Sequence, residues 1–136
     1  MKKINIIAII ISLAILTALI VSAVNYDKSP KIEIDLLEYD FGKIRKQDGV
    51  VSKNFEIKNS GSKKLIINDI TTSCGCTSAK IDKKEISSGE SAIIKVDFDP
   101  NFHEEPKGRF SRSVFIPTND PKNSEIELKI FAEIIK

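Results

Sequence analysis

The feature that most constrains the fold is the alternation of apolar and polar residues, which runs through the last hundred or so positions of the chain. In residues 92–98, one face carries Ala92, Ile94, Val96 and Phe98, while Ile93, Lys95 and Asp97 fall on the other. Side chains two positions apart point to the same side of a strand, so this period predicts half-buried strands and not helices. Residues 125–134 repeat the pattern.

Turn-forming residues separate these runs at short intervals, as at Asp48-Gly49, Ser88-Gly89 and Asp99-Pro100. Short strands with regular turns are typical of a sandwich of two sheets. We therefore predict an all-β, immunoglobulin-like antiparallel β-sandwich of seven to eight strands. The predicted strands are residues 32–36, 38–44, 50–58, 64–71, 76–81, 91–98, 109–117 and 124–135.

The inward rows of these strands supply the predicted core. Four phenylalanines are expected there: Phe41, Phe55, Phe98 and Phe115. Arg112 departs from the pattern, because it shares a face with Phe110, Val114 and Ile116. The last strand, 124–135, has Phe131 and Ile135 on its outer face and is a candidate for accepting an added strand, if it lies at a sheet edge.

The N-terminal segment has a different character. Residues 4–24 carry no charge, and as a helix they would span roughly 31 Å, about the thickness of a bilayer's hydrocarbon core. This predicts a transmembrane signal-anchor over residues 1–24, a tether over 25–31 and the sandwich over 32–136. The alternative is a signal peptide cleaved near Ala23.

Charge places the predicted domain outside the cytoplasm. Lys2 and Lys3 precede the apolar run, and basic residues stay on the cytoplasmic side. We expect a single-pass protein of the cytoplasmic membrane, or a secreted or periplasmic protein if the segment is cleaved. The chain has 21 Lys+Arg and 19 Asp+Glu, so without those two lysines no basic excess remains, and nucleic-acid binding is not expected.

The only cysteines, Cys74 and Cys76, lie in the stretch TTSCGCTSA, residues 71–79. They could form a tight corner between strands, with Gly75 providing an unusual backbone angle. They could also form a strained, easily exchanged disulfide, or bind Cu(I) with two ligands. A zinc site would need further ligands. The only histidine, His103, lies in a polar loop, so the sequence gives little support to a Cys-His enzyme, and a non-enzymatic protein is favoured.

Five short motifs, taken in order, resemble a known family. They are Tyr39-Asp40-Phe41-Gly42-Lys43-Ile44, Phe55 to Gly61, Ser73-Cys74-Gly75-Cys76-Thr77, Ile86 to Glu90 and Thr118-Asn119-Asp120-Pro121. Together they resemble the bacterial domain of unknown function 1573 family, with Ser88 where that family has proline. The resemblance implies an immunoglobulin-like sandwich of the PapD-like and major-sperm-protein type, exported in bacteria. It implies no activity and no catalytic residue.

Two hypotheses of function follow. The first is a membrane-tethered, exported module that binds another protein or an envelope component, with the membrane contacted through residues 4–24. The second is a thiol-based redox or Cu(I)-binding protein that acts through Cys74 and Cys76. No resident cofactor is predicted, although Cu(I) or Zn binding stays open.

Overall fold

The alternating segments form the strands of a two-sheet sandwich. The computed structural model describes residues 6–23, 28–102 and 108–135. The elements are α1 Ile6–Ala23, β1 Ile32–Ile34, β2 Glu38–Arg45, a 3₁₀ turn Lys46–Asp48, β3 Val51–Asn59, β4 Leu65–Ile66, β5 Thr71–Thr72, β6 Thr77–Ile81, β7 Glu85–Ile86, β8 Ser91–Phe98, β9 Gly108–Pro117 and β10 Glu125–Ile135. The predicted all-β fold is confirmed.

Two sheets of four strands and one small ribbon make up the sandwich. The first sheet has the order β1-β3-β8-β6, the second has the order β2-β10-β9-β5, and β4 pairs with β7. All named pairs are antiparallel except β2 with β10, which is parallel. The prediction of a purely antiparallel sandwich is therefore wrong at this pair. The alternation of apolar and polar residues within a strand does not show in which direction its distant partner runs.

The described residues form ten strands, not the seven or eight predicted. The predicted strand 64–71 is two strands, since the chain changes partners within it. Leu65 and Ile66 pair with β7, Ile67 bridges Thr118, and Thr71 and Thr72 pair with β9 of the second sheet. The short β7 had no signal strong enough to predict it.

The core fills the space between the two sheets. Phe55, Phe98, Ile94 and Leu128 are fully buried, and each such side chain stabilises the fold by about 1.5–3 kcal/mol through its removal from water. Phe41 is partly buried against this core. Phe115 is only half-buried on the outer face of β9, so its predicted place in the core is wrong.

Helix α1, Ile6–Ala23, covers the described part of the apolar N-terminal run. The side chains of Ile9, Leu13 and Leu16 are more than half exposed. Within the described residues, no helix reaches the combination of length and apolarity that crossing a membrane requires. The membrane anchor and the domain limits at 24 and 31 stay predictions.

Candidate functional site

Asn59, from the second motif, holds three chain segments together. Its side-chain oxygen accepts hydrogen bonds from the N–H groups of Lys31 (3.3 Å) and Gly61 (3.0 Å). Its amide nitrogen donates to the carbonyl oxygens of Lys63 (2.8 Å) and Ile86 (2.9 Å). Gly61 lies so close to the backbone of residues 29–31 that a Cβ would clash. This motif therefore has a structural role.

The motif Thr118-Asn119-Asp120-Pro121 also clamps the backbone. Asn119 accepts from Ile66 N–H (2.8 Å) and donates to the Lys64 carbonyl oxygen (3.2 Å), which fixes β4. Buried Asp120 accepts from the N–H of Ile32 (3.0 Å), at the start of β1. These polar side chains help to hold the sandwich together.

The first and fourth motifs act in the same way at turns. Asp40 accepts from Gly42 N–H (2.8 Å), and Gly42 has a φ of +70°. In the fourth motif, Glu90 N–H donates to the Ser87 carbonyl oxygen (3.0 Å), and the hydroxyl of Ser88 donates to the carbonyl oxygen of Gly61 (2.7 Å). The serine that replaces the family's proline thus makes a contact that proline could not.

The remaining motif forms a tight corner between β5 and β6. Cys74 and Cys76 are joined by a disulfide bond, with their Cα atoms 5.2 Å apart, whereas an extended chain would separate them by roughly 6.6 Å. The Thr72 hydroxyl donates to the carbonyl oxygens of Cys74 and Thr77, both at 3.0 Å. Thr77 N–H also donates to the Cys74 carbonyl oxygen (3.0 Å). The corner is therefore fixed by hydrogen bonds as well as by the disulfide.

Gly75 lies under the ring of Phe102. It is not among the glycines with positive φ, so an unusual backbone angle of the left-handed kind is not present here. A Cβ at this position would lie 2.9 Å from Cζ of Phe102. Phe102 is 53% exposed, so a larger residue would require this ring to shift outward.

The two sulfurs have different surroundings. Cys76 is 2% exposed and belongs to the core, whereas Cys74 is half-buried. Nε of Arg112 donates to Sγ of Cys76 at 3.2 Å, and the guanidinium lies 4.7 Å from the ring centre of Phe110. The sequence already marks Arg112 as a charged residue on an inward face, but it could not show that Cys76 would be its neighbour.

A metal site has little support in this arrangement. Within the described part of the chain, no cluster of three or more His, Cys, Asp or Glu side chains is placed to hold a metal ion. Both sulfurs are in the disulfide, so Cu(I) or Zn binding by Cys74 and Cys76 would first require reduction. His103 lies outside the described residues.

A second candidate site is the free edge of β6. Asp99 N–H donates to the Cys76 carbonyl oxygen, and Asp82 N–H donates to the Ile93 carbonyl oxygen. In an antiparallel pair, residues that bond to the partner strand alternate with residues whose N–H and C=O groups point away from it. Because Cys76 and Asp82 lie at positions that bond to β8, the N–H and C=O groups of Ala79 and Ile81 point away from β8. Among the described residues, no hydrogen bond reaches these groups from the open side.

A groove of about 440 Å³ runs along this edge. Its apolar lining comes from Ile70, Ala79 and Ile81, and Lys80 lies beside it. Lys84 and Asp69, which form an ion pair at 2.7 Å, complete the rim. The candidate edge strand from the sequence, residues 124–135, lies instead inside the second sheet between β2 and β9.

Comparison with known proteins gives the fold clear relatives. A protein of unknown function from Porphyromonas gingivalis W83 is 25% identical with a TM-score of 0.70, over 82% of this chain and 50% of that one. The PapD-like domain 7 of human CEP192 is 10% identical with a TM-score of 0.60, over 80% and 88%. The YadV chaperone is 14% identical with a TM-score of 0.56, over 77% and 52%.

The chain spans about half the length of the Porphyromonas protein. No curated protein matches the chain. The likeness to CEP192 and YadV, at such low identity, is one of fold. A family model described as "Protein of unknown function (DUF1573)" matches residues 32–134, which cover most of the chain. The chain therefore belongs to the DUF1573 family, as its five motifs predict.

Proposed function

We propose that the sandwich is a binding module that takes up an extended segment of a partner protein along the free edge of β6. The observation that carries this proposal is the outward-facing backbone of Ala79 and Ile81 beside an apolar groove. An extended segment at this edge would exchange backbone hydrogen bonds with both residues and add a strand to the first sheet.

Some outward backbone N–H groups on the other edges are occupied by the chain's own side chains. On β2, the N–H of Gly42 donates to Asp40 and the N–H of Arg45 donates to Asp48 (3.1 Å). On the short β1, the N–H of Ile32 donates a hydrogen bond to Asp120. Carboxylates that occupy backbone donors are one way in which proteins prevent unwanted strand pairing. The edge at Ala79 and Ile81 has no such protection among the described residues.

The groove also favours a particular partner chemistry. Ala79 and Ile81 point toward the space between the sheets, where Ile70 forms the far wall, so apolar side chains suit the matching positions of the partner. Lys80 points to the opposite face, across from Lys95 of β8, which already pairs with Asp97 at 2.9 Å. An acidic residue between the apolar ones of the partner would pair with Lys80.

The proposal includes a cellular location for the module. We infer that residues 1–24 tether it to the cytoplasmic membrane, with the domain on the extracytoplasmic side. The support is the uncharged run 4–24 that follows Lys2 and Lys3. The YadV chaperone shares the fold, which is in keeping with a protein-binding role.

The test is selection from a random peptide library on the full-length protein in detergent micelles. We expect enrichment of peptides that alternate apolar and acidic residues. A selected peptide should slow hydrogen exchange at the amides of Ala79 and Ile81. Ala79→Pro removes one outward N–H without touching the β8 ladder, and should weaken binding by roughly tenfold or more.

The matched control is Ile34→Pro. Ile34 lies on the opposite edge of the same sheet, also at a position whose N–H points outward, so this variant should bind the peptide as the wild type does. The proposal fails if no peptide is enriched, or if Ala79→Pro binds the selected peptides as tightly as the wild type.

A further inference from the structure

We propose that the Cys74–Cys76 disulfide is a thiol–disulfide exchange site for a protein thiol, in which Cys74 takes the incoming sulfur and Cys76 leaves as a thiolate held by Arg112. This inference is independent of peptide binding at β6. It rests on the placement of Arg112, on the different exposure of the two sulfurs, and on the size of the loop that the disulfide closes.

Arg112 occupies a position on β9 at which the alternation of apolar and polar residues predicts a core residue. Phe110 and Val114, its neighbours on the same face of β9, pack into the sandwich. The guanidinium stays charged at any physiological pH, and it also donates to the carbonyl oxygen of Ser111 (2.9 Å). A disulfide sulfur is a weak acceptor, whereas a thiolate carries a full negative charge. The contact between Arg112 and Sγ of Cys76 therefore becomes stronger when the S–S bond opens.

The two sulfurs are not equivalent toward an attacking thiolate. Cys74 is half-buried, whereas Cys76 is almost completely covered, so an incoming thiolate reaches Cys74 more readily. Cys74 Sγ accepts one neutral donor, the N–H of Cys76 at 3.1 Å. Cys76 Sγ accepts from the cationic Arg112 at 3.2 Å and lies 3.8 Å from the Thr77 hydroxyl. The positive charge favours Cys76 as the leaving group.

The disulfide does little to join distant parts of the fold. It encloses a single intervening residue, Gly75, and the chain-entropy gain from a cross-link grows with the loop that it closes. The hydrogen bonds from Thr72 and Thr77 hold the same corner without it. The corner can therefore stay in place while the S–S bond opens, which keeps both sulfurs available to re-form it.

The exchange takes two steps. A partner thiolate attacks Sγ of Cys74, a new S–S bond forms, and the electron pair of the old bond passes to Sγ of Cys76. A second partner thiolate then attacks the partner sulfur of this mixed disulfide and releases Cys74. Two partner thiols become one disulfide, and the Cys74–Cys76 pair, with two electrons and two protons, becomes two thiols.

The test uses reduced glutathione as the probe on the folded, full-length protein in detergent micelles. Acid quenching and mass spectrometry of the proteolytic fragments give the rate of mixed-disulfide formation and the cysteine that carries the probe. We expect glutathione on Cys74. We expect Arg112→Gln to form the adduct about tenfold more slowly, and Arg112→Lys to recover part of the rate because it keeps the charge.

Arg109→Gln is the matched control. Arg109 lies on the same strand but faces outward, where it pairs with Asp40 at 2.9 Å, so its removal should leave the rate unchanged. Thermal unfolding of each variant confirms that the corner is intact. The proposal is overturned if glutathione reacts only after unfolding, if it adds equally to both cysteines, or if Arg112→Gln reacts as fast as the wild type.

Discussion

Asn59 shows how much of the fold depends on one buried amide. All four of its strong hydrogen-bonding positions are used, and its partners come from three separate segments of the chain. The side chain is completely buried. A buried polar group stabilises the fold only while its partners are in place, and the same partners become a cost when it is removed.

We expect Asn59→Ala to lower the free energy of unfolding by about 3 kcal/mol, because two N–H and two C=O groups lose their partner in a buried site. Urea unfolding followed by circular dichroism measures the change. Asn54→Ala is the control, since Asn54 is exposed on the same strand, and its substitution should change stability by less than about 0.5 kcal/mol. Equal effects of the two substitutions would contradict the structural role of Asn59.

Asn59 and Arg112 make contacts that local sequence does not indicate. The Asn59-Ser60-Gly61 stretch predicts a turn from local chemistry alone. The segments that meet there, at Lys31 and Ile86, are distant in sequence, so nothing local indicates that the asparagine joins them. Arg112 is similar: its inward position is readable from alternation, whereas its contact with Cys76 depends on how the two sheets stack.

Among the elements, β2 combines a long edge with a break in its pairing. The register between β2 and β10 shifts between Phe131 and Glu133. Gly42 lies at the corresponding place on β2, with its positive φ and with its N–H held by Asp40. Such irregularities bend an edge strand and make it a poor template for further strands.

We expect Gly42→Ala to destabilise the protein by about 1 kcal/mol, because an L-residue with a Cβ is strained at positive φ. Gly42→Asn should cost less, since asparagine adopts this conformation more readily than alanine. Thermal unfolding distinguishes the two variants. If alanine is tolerated as well as asparagine, backbone conformation is not the reason for glycine at this position.

The elements divide clearly into those that sequence could predict and those that it could not. The long strands β3, β8, β9 and β10 alternate over most of their length, with Arg112 and Phe115 as exceptions on β9, and their predicted limits agree with the structure to within one residue. The segment 64–71 is apolar enough to read as one strand. It divides because its two ends find partners in different places, which is a property of the tertiary structure.

For the molecule as a whole, Asp120 connects the two sheets. It lies in the turn after β9 of the second sheet and accepts the N–H of Ile32 in β1 of the first. Burial alone would raise the pKa of Asp120. Hydrogen bonds from the Asn123 side chain and from the N–H groups of Lys122 and Ile32 outweigh burial and lower its pKa from the usual value near 3.8.

A lowered pKa in the folded state means that protonation favours unfolding. The stability contributed by Asp120 is therefore complete above about pH 5 and is lost as the pH falls through its folded-state pKa. We expect Asp120→Asn to be less stable than the wild type at pH 7 by about 1–2 kcal/mol, and to lose less stability on acidification. Urea unfolding across the acidic range measures both.

Asp69→Asn provides the comparison for this experiment. Asp69 pairs with Lys84, but its side chain is 93% exposed, and exposed ion pairs contribute little to stability. This variant should follow the acid dependence of the wild type. An acid dependence that is the same in Asp120→Asn and the wild type would show that the buried carboxylate does not couple the sheets.

The parallel pairing of β2 with β10 has a consequence for how the protein is made. Among the described strands, β2 has only β10 as a partner, and Glu38 meets Lys129 roughly 90 positions further along, so this contact closes late on any folding route. On the ribosome, the first sheet is complete once β8 has emerged, while β2 must wait for the last strand. The newly made chain therefore passes through a half-assembled stage, with one sheet formed and the other open, until β10 is synthesised.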